Sequence, residues 1–64
     1  MNIREVLENC KDKGLTLFIQ VREQGELIGK VYHIEQDFIT FGNSINKLLI
    51  PLNNIIWIRK QRGD

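Results

Sequence analysis

Two stretches near the end of the chain, residues 45–50 and 55–60, are mainly apolar, and their apolar residues are consecutive at 48–50 and at 55–58. Only the four residues PLNN separate them, which leaves room for a tight turn or a single 3₁₀ turn. Continuous apolar runs of this length are typical of β-strands that are buried on both faces. A chain of 64 residues can cover one face with its own core, so the simplest cover for the other face is a second copy of the chain.

The length of the chain supports this interpretation. A domain of about 60 residues buries only about 60% of the surface of its unfolded chain, so it is marginally stable by itself. The usual reinforcements are missing, because the single cysteine, Cys10, cannot form an intramolecular disulfide. One cysteine and one histidine, His33, also cannot complete a four-ligand zinc site. We therefore expect one domain over residues 1–64 that forms a homo-oligomer and holds no metal or other cofactor.

The N-terminal segment has the pattern of an amphipathic helix over about residues 2–13. Asn2 and Glu5 have the spacing of a capping box, and Gly14 stands where a C-cap glycine is expected. Four apolar residues follow the i, i+3, i+4, i+7 spacing of one helix face, and these are Ile3, Val6, Leu7 and Cys10. A helix this short is marginal in water, so its apolar face must lie on a sheet or on a neighbouring subunit.

From Leu15 the hydrophobic period changes to two, which predicts β-strands. The predicted strands cover about residues 15–22, 26–34, 38–41, 45–50 and 55–60. Turn signals lie between them, at REQG after the first strand and at GNS after the third. Gly29 lies inside the second strand, where glycine usually marks a bend or a close approach of two backbones. The chain is therefore predicted to be mainly β, with an N-terminal helix and five antiparallel strands.

This order of elements resembles the Sm-like family, which includes the Sm and Lsm proteins and the bacterial RNA chaperone Hfq. Residues 25–39 (GELIGKVYHIEQDFI) resemble the family's first motif, and residues 50–58 (IPLNNIIWI) are similar in shape to its second motif. The resemblance implies a strongly bent five-stranded SH3-like barrel. It also implies a ring of five to seven subunits, in which the fourth strand of one subunit pairs with the fifth strand of the next. The expected interface residues are Leu48, Leu49, Ile50, Ile56, Trp57 and Ile58.

Single-stranded RNA is the ligand that the resemblance implies. The contacts are expected in the loop after the second strand, in the PLNN turn and in the basic C-terminal segment. The candidate RNA-binding residues are Gln36, Asp37, Asn53, Asn54, Arg59, Lys60 and Arg62. The net charge of +1 argues against a strong electrostatic attraction to nucleic acid. The charge is uneven, however, because residues 44–64 contain four basic side chains and one acidic side chain.

Several positions differ from the family's pattern, and they leave other functions open. Asp37 stands where the family usually has an apolar or aromatic residue that stacks on a base, and Ile39 stands where Sm proteins have a base-binding asparagine. Leu52 and Asn53 replace the Arg-Gly or Lys-His pair that is typical of the last turn in the family. A non-enzymatic oligomeric scaffold or protein-interaction module is therefore the alternative function. A PRC-like or other SH3-like barrel, without a ring, is the alternative fold.

The remaining candidates for chemistry favour structural roles. His33 has no nucleophile pattern beside it, so we expect no catalytic residue and no enzyme activity. Phe18 and Tyr32 could offer a surface for base stacking, although packing in the core or between subunits is favoured. No apolar run reaches the roughly 18 residues that span a bilayer, and the N-terminus lacks the core of a signal peptide. We therefore expect a cytoplasmic protein with no membrane contact.

Overall fold

A computed structural model describes residues 2–61 of the chain. It contains one helix, five strands and a short 3₁₀ helix between the last two strands. The elements are α1 (Ile3–Lys13), β1 (Leu17–Val21), β2 (Gly25–Ile34), β3 (Phe38–Gly42), β4 (Lys47–Pro51), the 3₁₀ helix (Leu52–Asn54) and β5 (Ile55–Lys60). The predicted fold class, mainly β with an N-terminal helix followed by an antiparallel sheet, is confirmed.

Helix α1 is fixed at both ends by the residues that predicted it. Asn2 is extended, and its side-chain oxygen accepts a hydrogen bond of 2.9 Å from the backbone N–H of Glu5, as an N-cap does. Gly14 adopts the left-handed conformation, with φ of 65°, and its backbone N–H donates hydrogen bonds to carbonyls of the last helical turn. Leu7 and Cys10 are buried in the core. The apolar face of the helix is therefore covered within the chain.

The five strands form one antiparallel sheet in the order β4-β3-β2-β1-β5. Strand β2 pairs with β1 along its first half and with β3 along its second half. The sheet is strongly curled, but β4 and β5 do not pair with each other in the part of the chain that the structure describes. The predicted barrel is therefore not closed within one chain. Its two open edges are β4 and β5.

The bend in β2 depends on two glycines. Gly29 is the last residue of β2 that partners β1, and Lys30 is the first that partners β3, opposite Gly42. A Cβ on Gly29 would lie 2.5 Å from the carbonyl oxygen of Gly42. Gly42 itself has φ of 148°, and a Cβ there would overlap the carbonyl oxygen of Asn46. The prediction that Gly29 marks a close approach of two backbones is confirmed.

The core consists of inward-facing residues of the curled sheet and two residues of α1. Its members are all apolar, and they are Leu7, Cys10, Leu17, Ile19, Val21, Val31, Ile39, Phe41 and Ile50. Among the described residues no polar or charged side chain is buried. No helix within residues 2–61 has the length and apolar character needed to cross a membrane.

The largest differences from the predicted strand bounds are at the starts of β4 and β1. Strand β4 begins at Lys47, two positions later than predicted, because Asn43 holds the preceding residues in a turn. The Asn43 side-chain oxygen accepts hydrogen bonds from the backbone N–H groups of Ile45 (2.8 Å) and Asn46 (2.7 Å). This local bonding competes with a strand ladder. Strand β1 is shorter than predicted at both ends.

Candidate assembly edges and nucleic-acid interface

The two edge strands carry most of the large apolar side chains that are exposed within the described part of the chain. On β4, Leu48 is 45% exposed and Leu49 is 66% exposed. On β5, Ile56 is 55% exposed and Trp57 is 41% exposed. An edge strand also presents a row of unpaired backbone N–H and C=O groups. Edges that combine both features are suited to pairing with another strand.

Four of the six predicted interface residues lie on this exposed surface. The other two face the interior, because Ile50 is 1% exposed and Ile58 packs against the core. Ile56 points outward because the register between β1 and β5 shifts between Gln20 and Val21, which makes Ile56 the extra residue of a bulge. Within one chain β4 therefore has one buried residue, Ile50, and β5 contributes only half-buried residues to the core. Burial of the exposed residues by a second copy stays a prediction.

The predicted loop and turn residues lie side by side. The backbone N–H of Leu52 donates a hydrogen bond of 2.8 Å to the carbonyl of Asp37. Gln36, Asp37 and Asn53 line one shallow cavity of about 370 Å³, together with Pro51 and Leu52. We call this the loop–turn cavity. Its lining offers amide groups and one carboxylate, which can hydrogen-bond base edges but do not attract phosphate.

The other predicted RNA-binding residues are not part of this cavity. Asn54 turns toward the β1–β2 hairpin, where its carbonyl accepts a hydrogen bond of 2.9 Å from the backbone N–H of Arg22. Arg59 and Lys60 lie on β5 and, as consecutive strand residues, face opposite sides of the sheet. Lys60 lines a separate cavity beside α1. Arg62 lies outside the described residues.

Arg59 belongs to an aromatic patch on the outer face of the sheet. Its guanidinium carbon lies 4.3 Å from the ring centroid of Phe18 and 5.8 Å from that of Trp57. Its Nη2 also lies 3.1 Å from Oε2 of Glu26, in an ion pair whose two side chains are 57% and 44% exposed. An exposed pair of this kind adds little stability. We call Phe18, Trp57 and Arg59 the β5 patch, and it is a surface on which a base could stack.

Sequence reasoning missed the contact that positions the loop after β2. Arg4 on α1 donates hydrogen bonds from Nη2 to the backbone carbonyls of Glu35 (2.8 Å) and Gln36. The contact joins residues more than 30 positions apart, so no local spacing could have revealed it. The helix therefore anchors one wall of the loop–turn cavity.

Replacing Arg4 with methionine is expected to lower the free energy of unfolding by about 1 kcal/mol. The methionine keeps much of the aliphatic stem but removes two charge-assisted hydrogen bonds, which are worth about 1.5–3 kcal/mol each when shielded and less near solvent. Urea unfolding followed by circular dichroism measures the change at one fixed protein concentration. Lys11→Met, on an exposed position of the same helix, is the control and should stay near the wild-type value. Equal losses in both variants would contradict the anchoring role.

The single histidine stands apart from both surfaces. His33 lines a cavity between β2 and α1 together with Glu8, Lys11 and Asp12. Within residues 2–61 no group of three or more histidine, cysteine or acidic residues could hold a metal ion. Cys10 is buried with a free thiol, so it serves as a small apolar residue of the core.

No model of a known protein family matches the chain, and a comparison with curated proteins gives no match. The resemblance to the Sm-like family therefore depends on the two motifs and on the order of the elements, and membership stays a prediction.

Proposed function

We propose that the protein is an Sm-like subunit that forms a homo-oligomeric ring and binds single-stranded RNA. The observation that carries the proposal is the open sheet, whose two edges are both apolar and lie at opposite ends of the strand order. Pairing β4 of one copy with β5 of the next would cover both edges. A head-to-tail contact of this kind gives a closed ring when the rotation between copies closes, and a closed ring has no exposed edge.

Two features support RNA as the ligand. The amide groups of Gln36 and Asn53 in the loop–turn cavity can hydrogen-bond the edges of unpaired bases. The β5 patch adds aromatic rings and a guanidinium plane, which stack on bases with little sequence preference. The carboxylate of Asp37 opposes phosphate, so RNA binding should be modest and should weaken as salt rises.

A non-enzymatic oligomeric scaffold is the second candidate. Among the described residues, the lining of the loop–turn cavity contains one acid, Asp37, and neither lysine nor arginine, which favours a ring or barrel that binds a protein instead of RNA. Under this alternative the edge strands would still assemble. A PRC-like or other SH3-like barrel differs from both candidates because it would remain a monomer or dimer.

Assembly is tested by sedimentation velocity and native mass spectrometry at micromolar concentration. We expect a species of five to seven times the chain mass of 7.5 kDa. A 7.5 kDa species alone would remove the ring from the proposal and favour the PRC-like or SH3-like barrel.

RNA binding is tested by fluorescence anisotropy with labelled oligo(U) and oligo(A) at about 50 mM salt. Arg59→Gln should weaken binding about fivefold or more, because stacking is worth about 1–3 kcal/mol per base. Lys13→Gln removes the same charge from the end of α1 and should bind as the wild type does. If the assembled wild-type protein binds neither RNA at low salt, the proposed RNA binding is wrong and the scaffold function takes its place.

A further inference from the structure

A groove crosses the outer face of the sheet at the bend of β2. Gly42 on β3 partners Lys30 on β2 and also Lys47 on β4, so the three residues form one row across three strands. Directly opposed residues point to the same face of a sheet. Neighbouring strands lie about 4.8 Å apart, which places the Cα atoms of the two lysines roughly 10 Å apart. Gly42 has no side chain, and it lines the cavity that lies beside this row, whereas the carbonyl oxygen of Asn46 fills the position that a Cβ would take.

Tyr32 supplies an aromatic wall to this groove. The Nζ atom of Lys47 lies 4.8 Å from the Tyr32 ring centroid and donates a hydrogen bond of 3.2 Å to the carbonyl of Ser44. The cavity has a volume of about 510 Å³. Its lining consists of Tyr32, one apolar residue, Ile28, and the small or polar residues Thr16, Gly29, Lys30, Gly42, Asn43 and Ser44. Lys47 adjoins the cavity through its contacts with Tyr32 and Ser44.

The charges around the groove favour an anion. None of the described residues that line it is acidic. Within residues 2–61 the one ion pair joins Arg59 to Glu26, so neither Lys30 nor Lys47 is neutralised by a carboxylate of the described chain. Lysine ammonium groups are common ligands of phosphate, and the tyrosine ring offers a face to a base. An acidic peptide would use the two charges but would leave the ring without a matching group.

We propose that this lysine groove, formed by Lys30, Tyr32, Gly42 and Lys47, binds a phosphate group of single-stranded RNA. The phosphate lies in the cavity beside Gly42, within reach of the two ammonium groups, and an adjoining base stacks on Tyr32. When RNA binds, the ammonium of Lys47 moves from the Tyr32 ring to the phosphate. The ring is then free to stack on the base. The choice of ligand rests on the proposed RNA binding, whereas the site itself does not require a ring.

The test compares Lys30→Gln/Lys47→Gln with a control, Lys11→Gln/Lys13→Gln, that removes the same charge from α1. Anisotropy titrations with oligo(U) and oligo(A) are repeated across a range of salt concentrations. The groove variant should bind at least about tenfold more weakly, and the slope of log affinity against log salt should fall by about 0.7, because the groove holds one phosphate and each phosphate contact on a single strand contributes about 0.7. The control should match the wild type.

The outcomes separate this inference from the proposed function. Wild-type protein that binds RNA, with a groove variant that binds equally well, overturns the groove and leaves RNA binding intact. Equal weakening in both variants also overturns it, because net charge would then explain the effect. Displacement of the RNA by hexaglutamate at equal concentration would assign the groove to an acidic peptide and overturn it as well.

A second arm applies if the wild type binds no RNA. Amide resonances of Lys30, Gly42 and Asn43 are followed by NMR during titration with uridine monophosphate, uridine and inorganic phosphate. Shifts with the monophosphate that disappear in Lys30→Gln/Lys47→Gln support a nucleotide phosphate site while the proposed RNA binding fails. Equal affinity for inorganic phosphate overturns the stacking on Tyr32, and no shifts overturn the groove itself.

Discussion

Charged substitutions in the two edge strands are expected to convert the assembled protein to monomers. Leu49→Lys and Ile56→Lys each place an ammonium group where the wild-type side chain is more than half exposed, so a single chain keeps its core. On pairing of β4 with β5 the same ammonium groups would be desolvated against an apolar edge, which is unfavourable. The double variant should sediment as a 7.5 kDa species under conditions in which the wild type is a ring.

Ile45→Lys is the matched control for this experiment. Among residues 2–61 Ile45 is the most exposed large apolar residue, at 86%, but it lies in the turn before β4. If edge pairing drives assembly, this variant keeps the wild-type mass. If exposed apolar surface alone drives assembly, Ile45→Lys dissociates too, and the edge model is wrong. Far-ultraviolet circular dichroism should be unchanged in both variants, which shows that dissociation does not reflect unfolding.

The order of elements could be predicted because the signals for them are local. Asn2 and Gly14 mark the ends of the helix through backbone geometry that extends over only a few residues. The change of hydrophobic period at Leu15 separates the helix from the strands in the same way. Gly29 could be recognised because few other reasons place a glycine inside an apolar strand. Each of these inferences needs only a short stretch of sequence.

Strand register could not be predicted, and register determines what the surface presents. The shift beside Gln20 turns Ile56 outward on β5, and a second shift between Val31 and His33 makes Tyr32 the extra residue of β2. Bulges of this kind depend on how two distant strands pair. An alternating apolar pattern alone therefore does not place Ile56 or Tyr32 on the correct face of the sheet.

The candidate sites show the same division between local and long-range information. Gln36, Asp37 and Asn53 were predicted to act together, and they do line one cavity. Lys30 and Lys47 were not predicted as a pair, because they meet only through their shared partner, Gly42. In the sequence they lie on different predicted strands with an acidic loop between them. Only the pairing of three strands places them in one row.

Gly29→Ala is expected to destabilise the protein strongly, although it adds only one methyl group. The new Cβ would meet the backbone of Gly42 at 2.5 Å from its oxygen and 2.9 Å from its carbonyl carbon. A backbone cannot rotate away as a side chain can, so β3 must move and the pairing at the bend of β2 must loosen. Overpacking of this kind costs about 3 kcal/mol or slightly more. A chain of this size has a total stability of only about 3–10 kcal/mol.

Gly14→Ala is the matched control, because it adds the same methyl group without a clash. Gly14 has φ of 65°, and nothing lies within 4 Å of the position of its Cβ. Gly14→Ala should therefore lower the free energy of unfolding by only about 1–2 kcal/mol, which is what the left-handed conformation costs a residue with a Cβ. Urea unfolding at one protein concentration compares the two variants, since assembly makes stability depend on concentration. If Gly29→Ala lowers the free energy of unfolding no more than Gly14→Ala does, β2 can bend without this close approach. The packing of β2 on β3 would then need another explanation.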